Sequence, residues 1–198
     1  MALHYTHHTE GKLKGFISLN TSTLENEFCR SSPHEVCRFC YARRLESFRG
    51  SLAKHLSSNT KLLSSPLDPH ELSVPGATEF IRFNSFGELT GPQHLENLYL
   101  IAAANPTRRF ALWTKRDNIV DNYPGTAPKN LQIIKSWGPM NEDGHILAKW
   151  LVAHPRFDKV FVVDSVDKGQ VNCQRRCSQC NWCYDGTGPS IIRELLRR

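Results

Sequence analysis

Seven cysteines occur in this chain of 198 residues, in two tight groups. Cys29, Cys37 and Cys40 read C-x7-C-x2-C, and Cys173, Cys177, Cys180 and Cys183 read C-x3-C-x2-C-x2-C. Thiolates are soft ligands that suit zinc and iron–sulfur clusters. Four of them close a metal site completely, whereas three can hold a four-iron cluster and leave one iron open to another ligand. The compact spacing of the second group favours a four-iron cluster over zinc, whose structural sites pair two knuckles across a longer loop. The first group has a competing reading as a zinc site completed by a histidine, for which His34 inside the loop is the candidate.

Composition bounds these readings. Hydrophobic residues make up 39% of the chain and charged residues 22%, the balance of a polar globular domain. No stretch approaches the roughly 20 apolar residues of a membrane span. Met1 to Lys14 is polar, carries His4, His7 and His8, and reads as a loose terminus rather than a secretory signal. A cytoplasmic location follows as the expectation, where thiols stay reduced and an odd number of them points to metal ligation. The formal charge of +6 suggests an acidic partner such as nucleic acid. Two loaded clusters would bring it to about +3, which weakens that suggestion. The basic pairs Arg108-Arg109, Lys115-Arg116, Arg175-Arg176 and Arg197-Arg198 are scattered and read as solvated faces. There is no Walker loop, GxGxxG fingerprint or HExxH motif.

The elements that must position the cysteines alternate. Phe16 to Asn20 reads as a first strand, followed by the Cys29–Cys40 loop and a helix from Tyr41 to about Leu56, with Leu45, Phe48, Leu52 and Leu56 on one face. Further strands are expected at Glu79–Phe83, Arg109–Thr114, Leu131–Ser136 and Lys159–Asp164. Helices are expected at Pro92–Ala104, around Ile146, Leu147, Trp150 and Leu151, and at Pro189–Arg197 with Ile191, Ile192, Leu195 and Leu196 inward. Ser57–Ala77 is long for a connection and reads as a short extra helix or a lid, and Ser165–Asn172 as a polar linker. Strands alternating with helices imply an α/β fold with a parallel sheet. Five or six βα units would make an incomplete parallel barrel across residues 15–165, with a cysteine-rich segment and a helix across 166–198, all in one domain. In such folds ligands bind at the C-terminal ends of strands, where the first cysteine group falls.

Cys37-Arg38-Phe39-Cys40 has an aromatic residue just before its last cysteine. Here the chain resembles the radical S-adenosylmethionine (SAM) enzymes, whose usual loop after strand one is C-x3-C-x-aromatic-C. Seven residues replace three in the first gap. Asn84-Ser85-Phe86-Gly87-Glu88, after the second strand, resembles their Gly-Gly-Glu-type turn, which receives the amino group of SAM. The fuller resemblance is to the gene-product-88 family of phage-encoded proteins. It rests on the Ile17-Ser18-Leu19 strand, Cys40-Tyr41-Ala42, the Ser85–Glu88 turn, the run Trp113-Thr114-Lys115-Arg116 and the C-terminal cysteines, from Gly15 to Tyr184. That family's turn is more often Ser-Gly-Asp, so Phe86 reads as an insertion.

The resemblance implies a partial barrel of radical SAM type with two [4Fe-4S] clusters and SAM on the open iron of the first. It also implies an electron donor such as flavodoxin or ferredoxin, and location in a host cytoplasm. One electron passed into the sulfonium would yield methionine and a 5′-deoxyadenosyl radical that takes hydrogen from a substrate. Phe39 would lie near the adenine, while Ser85, Gly87, Glu88, Thr114, Lys115 and Ser136 would contact SAM or substrate. The second cluster would be auxiliary, shielded by Trp182 and Tyr184. Two other functions stay open: a non-catalytic iron–sulfur protein that transfers electrons or senses redox state, and a zinc-stabilised nucleic-acid-binding module.

Overall fold

The computed structural model describes residues 2–167, 169–173 and 176–196. Seven strands form one sheet, each beside its neighbour in sequence: β1 Tyr5–His7, β2 Ile17–Leu19, β3 Phe80–Phe83, β4 Arg109–Thr114, β5 Leu131–Ser136, β6 Lys159–Asp164 and β7 Ile191–Leu195. β1 and β2 form an antiparallel hairpin, and every later pairing is parallel. β1 and β7 are the two edges, so the sheet is open.

Helices α1 Glu27–Ser31, α2 Tyr41–Phe48 and α3 Gly50–Leu63 join β2 to β3. Then come α4 Pro92–Ala104, α5 Asp117–Asn122, α6 Gly144–Ala153 and the single turn α7 Cys177–Cys180. Pro92 sits in the first turn of α4, where its missing N–H costs nothing. The main core lies between one sheet face and the helices: Leu19, Ile81, Phe83, Phe110, Leu112 and Ile133 meet Leu63, Leu95, Leu98, Ile101 and Val120. The opposite face carries Phe16, Ala111, Trp113 and Ile134, and it is covered by Tyr184, Cys177 and Cys183. A sheet buried on both faces explains strands that are apolar almost throughout.

Several expectations change. Pro189–Arg197 is no helix over its described part: Ile191–Leu195 is β7, paired in parallel with β6. Its β-branched Ile191 and Ile192 suit a pleated surface, and the strand satisfies the free backbone edge of β6. Arg197 lies outside the described residues, as do Arg175 and Arg198 of the basic pairs. The single helix Tyr41–Leu56 is two, broken at Arg49 with φ −120° and ψ 89°, and Phe48 is exposed rather than inward. Met1 lies outside the described residues; the segment after it is not loose, since Tyr5–His7 forms β1 and Asn59 of α3 grips both the N–H and the C=O of His4. Of the two readings of Ser57–Ala77 the helical one holds: α3 runs to Leu63 and a short 3-10 helix follows at Pro69–Leu72. Arg108 is structural, donating to the carbonyls of Val74 and Thr78, whereas Arg109 lies on a solvated face as expected, pairing there with Glu79 at 3.1 Å.

Candidate functional site

The first thiol group is built by three short elements after β2. Asn26 caps α1, accepting from the Cys29 N–H at 3.2 Å and donating to the Glu88 carbonyl at 2.8 Å, which ties Cys29 to the turn after β3. A 3-10 helix, Glu35–Phe39, carries Cys37, whose sulfur receives the Ser32 hydroxyl at 3.3 Å. Cys40 caps α2, with the Arg43 N–H directed at its sulfur at 3.5 Å. The buried Glu46 holds α2 in place, accepting from the Ser22 hydroxyl, the Thr23 N–H at 2.7 Å and the Thr23 hydroxyl at 2.6 Å.

The long spacer between Cys29 and Cys37 has a structural use. It runs across the strand ends to the loop after β5, where the Val36 N–H donates to the Gly138 carbonyl at 3.2 Å and Glu35 accepts from the Met140 N–H at 3.1 Å. A side chain on Gly138 would place its Cβ 2.1 Å from the His34 ring, so the ring could keep this position only against glycine. His34 is therefore directed at the β5 loop, and its charged neighbours are Lys115, Lys135 and Asp117.

The turn after β3 meets this loop from below. The Thr21 N–H donates to the Phe86 carbonyl at 3.2 Å, and the Phe86 N–H donates to Asn20 Oδ1 at 3.1 Å. Phe86, the apparent insertion, thus holds the turn to the end of β2. Gly87 has φ 78°, and a Cβ there would lie 2.5 Å from the Thr21 carbonyl oxygen. The Tyr41 hydroxyl donates to the Ser85 carbonyl at 2.9 Å. Glu88 is buried and fully engaged: its carboxylate accepts from the Thr114 hydroxyl, the Leu89 N–H at 2.9 Å and the Lys115 N–H at 2.7 Å. Lys115 Nζ in turn donates to the Ser136 hydroxyl at 2.7 Å. Ser85, Gly87, Glu88, Thr114, Lys115 and Ser136 therefore lie along one line across the C-terminal ends of β3, β4 and β5. Phe39 stands apart from the core, 58% exposed. Burial pushes the Cys29 thiol up to about 12, helped by Glu88, Cys40 and Cys37 and opposed by Lys115.

The second thiol group lies on the sheet face opposite the helices. The Cys173 N–H donates to the Arg193 carbonyl on β7 at 2.9 Å, and the Cys177 N–H to the Lys12 carbonyl in the β1–β2 turn at 3.0 Å. Lys12 Nζ reaches the Cys173 sulfur at 3.0 Å and the Glu194 carboxylate at 2.6 Å. Tyr184 packs its ring against Phe16, Phe80 and Trp113. The Arg82 guanidinium lies 4.0 Å above the Trp113 ring. Burial raises the thiols of Cys173, Cys177 and Cys183, that of Cys177 to about 11. Neighbouring thiolates add to the rise, while Lys12 acts against it at Cys173 and Cys177 and Arg82 at Cys177 and Cys183.

All seven cysteines are free thiols. Among the described residues, no three His, Cys, Asp or Glu side chains are drawn together as a single-ion site. The donor sets nonetheless fit a soft metal group. Thiols are strong ligands once a metal cation displaces the proton, including Cys29, Cys173, Cys177 and Cys183, whose proton burial helps to retain. Around the second group, Arg82 Nε, Trp113 Nε1 and the Tyr184 hydroxyl are buried without a hydrogen-bond partner, as acceptor-rich cluster sulfurs would require.

Sequence reasoning did not single out Lys12, Asn26, Glu46 or Arg82 for the site. Arg82 had a signal, being a charge within the apolar strand Phe80–Phe83. Lys12 had none, because its partners are more than 160 positions away in the chain. A cleft of about 460 Å³ lined by Tyr99, Lys129, Arg156 and Asp158 lies near the start of β5 and takes in no predicted site residue. A smaller cleft of about 300 Å³ opens beside Cys37 and Cys40 and is lined by Arg38, Arg43 and Arg44.

Fold and site together define an open, mostly parallel α/β protein with one thiol group at its strand ends and another on its sheet face. The chain belongs to the Gene product 88 family, whose model matches residues 4–186. No curated protein and no solved structure matches it. No helix among the described residues is long and apolar enough to cross a membrane.

Proposed function

We propose that the chain is an iron–sulfur protein of radical SAM type, cleaving SAM reductively at a four-iron cluster held by Cys29, Cys37 and Cys40. Cys173, Cys177, Cys180 and Cys183 would hold an auxiliary four-iron cluster. The observation that carries this reading is the position of the first group. Three thiols meet the C-terminal ends of parallel strands beside a turn whose Ser85 hydroxyl is buried without a partner. A cluster held by Cys29, Cys37 and Cys40 would supply the one electron, taken from a reduced redox protein, that reductive cleavage of the C5′–S bond of SAM to methionine and a 5′-deoxyadenosyl radical requires.

The chain's own groups bind and orient. Glu88 has both oxygens engaged, so its part is to hold Thr114 and Lys115 in position. Lys115 and Ser136 then offer a cation and a hydroxyl for a carboxylate, and Ser85 offers a free hydroxyl for the amino group. Exposed Phe39 offers an apolar plane to a base. The spacer from Cys29 to Cys37 covers the strand ends and limits water there.

Anaerobic purification tests the reading. Brown protein with about four irons per cluster, an EPR spectrum altered by SAM, and 5′-deoxyadenosine formed with dithionite and SAM are expected. Colourless protein containing only zinc would overturn it. Iron without any response to SAM would favour the second reading, a non-catalytic electron carrier, for which the arginine-lined cleft beside Cys37 and Cys40 suits an acidic redox partner. Salt-dependent affinity for nucleic acid in zinc-loaded protein would favour a nucleic-acid-binding module instead.

A further inference from the structure

Arg82 is a half-buried cation with its Nε fully covered and no acid paired to it among the described residues. It sits in the middle of β3, in register with Ser18 of β2 and Ala111 of β4, on the sheet face turned away from the helices. None of the ion pairs among the described residues includes it. Its guanidinium stacks on Trp113, an arrangement that fixes its direction without meeting its hydrogen-bonding demand. The groups whose charge acts on it are Tyr41, Tyr184, Cys177 and Cys183. Three buried donors without a partner therefore share this face with two of the four thiols, Cys177 and Cys183: Arg82 Nε, Trp113 Nε1 and the Tyr184 hydroxyl. On the other side, Lys12 donates to the sulfur of Cys173. Buried donors without acceptors are rare in folded proteins and call for an occupant that supplies acceptors.

We propose that Arg82 and Lys12 form a fixed cationic seat for the second thiolate group, and that Arg82 raises the reduction potential of the cluster seated there. This rests on the reading of that group as a four-iron site. Such a cluster with four thiolates carries about −2, and its bridging sulfides accept the donors that the protein leaves unpaired. Reduction takes one electron, turning the 2+ core into a 1+ core and the site charge from about −2 to about −3. A fixed guanidinium in a site with little water favours the more negative state. Four-thiolate zinc would have the same net charge but no second oxidation state for Arg82 to favour.

The test uses the full chain carrying Cys29→Ala, Cys37→Ala and Cys40→Ala, so that only the second group can load iron, reconstituted anaerobically and titrated by EPR. In that background Arg82→Gln is expected to lower the midpoint by at least 59 mV, a tenfold change in a one-electron equilibrium. Arg82→Lys should restore most of the loss. An iron-loaded Arg82→Gln protein with an unchanged midpoint overturns the role of Arg82 and leaves the cluster reading standing. If Arg82→Gln fails to fold, Lys12→Gln and Trp113→Phe each remove one donor to the same site. Both are expected to lower the midpoint, and no change in either overturns the proposal. Protein that takes up zinc but no iron at this group overturns the cluster reading and the proposal with it.

Discussion

Gly87 combines a left-handed backbone with a clearance that a side chain would fill. Its φ is 78°, and an added Cβ would lie 2.2 Å from Thr21 Oγ1 and 2.5 Å from the Thr21 carbonyl oxygen. Gly87→Ala is expected to lower unfolding stability by about 2–4 kcal/mol, measured as a shifted urea midpoint with an unchanged slope. An unshifted midpoint would count against the packing of this turn on β2. His94 is fully buried, takes the Thr90 N–H on Nδ1 at 3.2 Å, and leaves Nε2 without a partner. Burial pulls its imidazole down to about 3. The unfolded chain binds this proton below about pH 6.5 and the folded chain does not, so stability is lost as pH falls from there toward 3. The loss approaches about 1.4 kcal/mol per pH unit. Subtracting the stability–pH profile of His94→Gln from that of the parent should show this limb, and parallel profiles would refute it.

α2 is short, ends in exposed Phe48, and owes its place to Glu46 rather than to an apolar stripe. Glu46→Ala leaves the Ser22 and Thr23 donors unmet and is expected to cost about 3 kcal/mol. It should also lower iron per chain by releasing Cys40 from the end of β2, read by denaturation and by iron assay after reconstitution. Wild-type iron content in a stably folded Glu46→Ala protein would show that α2 is held by other means. The sequence makes Tyr41–Leu56 look like one helix because Leu45, Phe48, Leu52 and Leu56 keep helical spacing, and a lone Gly50 is tolerated in such a pattern. The break at Arg49 serves long-range contacts, turning Glu46 toward Ser22 while α3 presents Asn59 to β1. β7 was hidden for a related reason. Ile191, Ile192 and Leu195 fit either period in so short a run, and the free edge of β6 decides in favour of the strand. The strands β3 to β6 and the helix α4 were legible because their apolar faces are fixed locally.

The whole molecule is asymmetric across its sheet, with helices on one face and the cysteine-rich segment on the other. A chain ending at Asp164 would uncover Phe16, Trp113 and Ile134 together, so it is expected to aggregate and to bind a hydrophobic dye. A monodisperse truncation with a cooperative thermal transition would contradict this. The site followed the same rule of legibility as the fold. The line from Ser85 through Glu88 and Lys115 to Ser136 could be anticipated because each residue follows a recognisable strand. The seat around Cys173 could not, because Lys12 meets Cys173 and Glu194 across 161 and 182 positions. That last contact imposes a timetable on biosynthesis. The first thiol loop meets its last partner when Met140 has left the ribosome, whereas the second group gains its β7 anchor only when Arg193 emerges. A chain interrupted between Met140 and Ile191 would therefore have the partners of the first thiol loop in hand while the second group still lacked its β7 anchor.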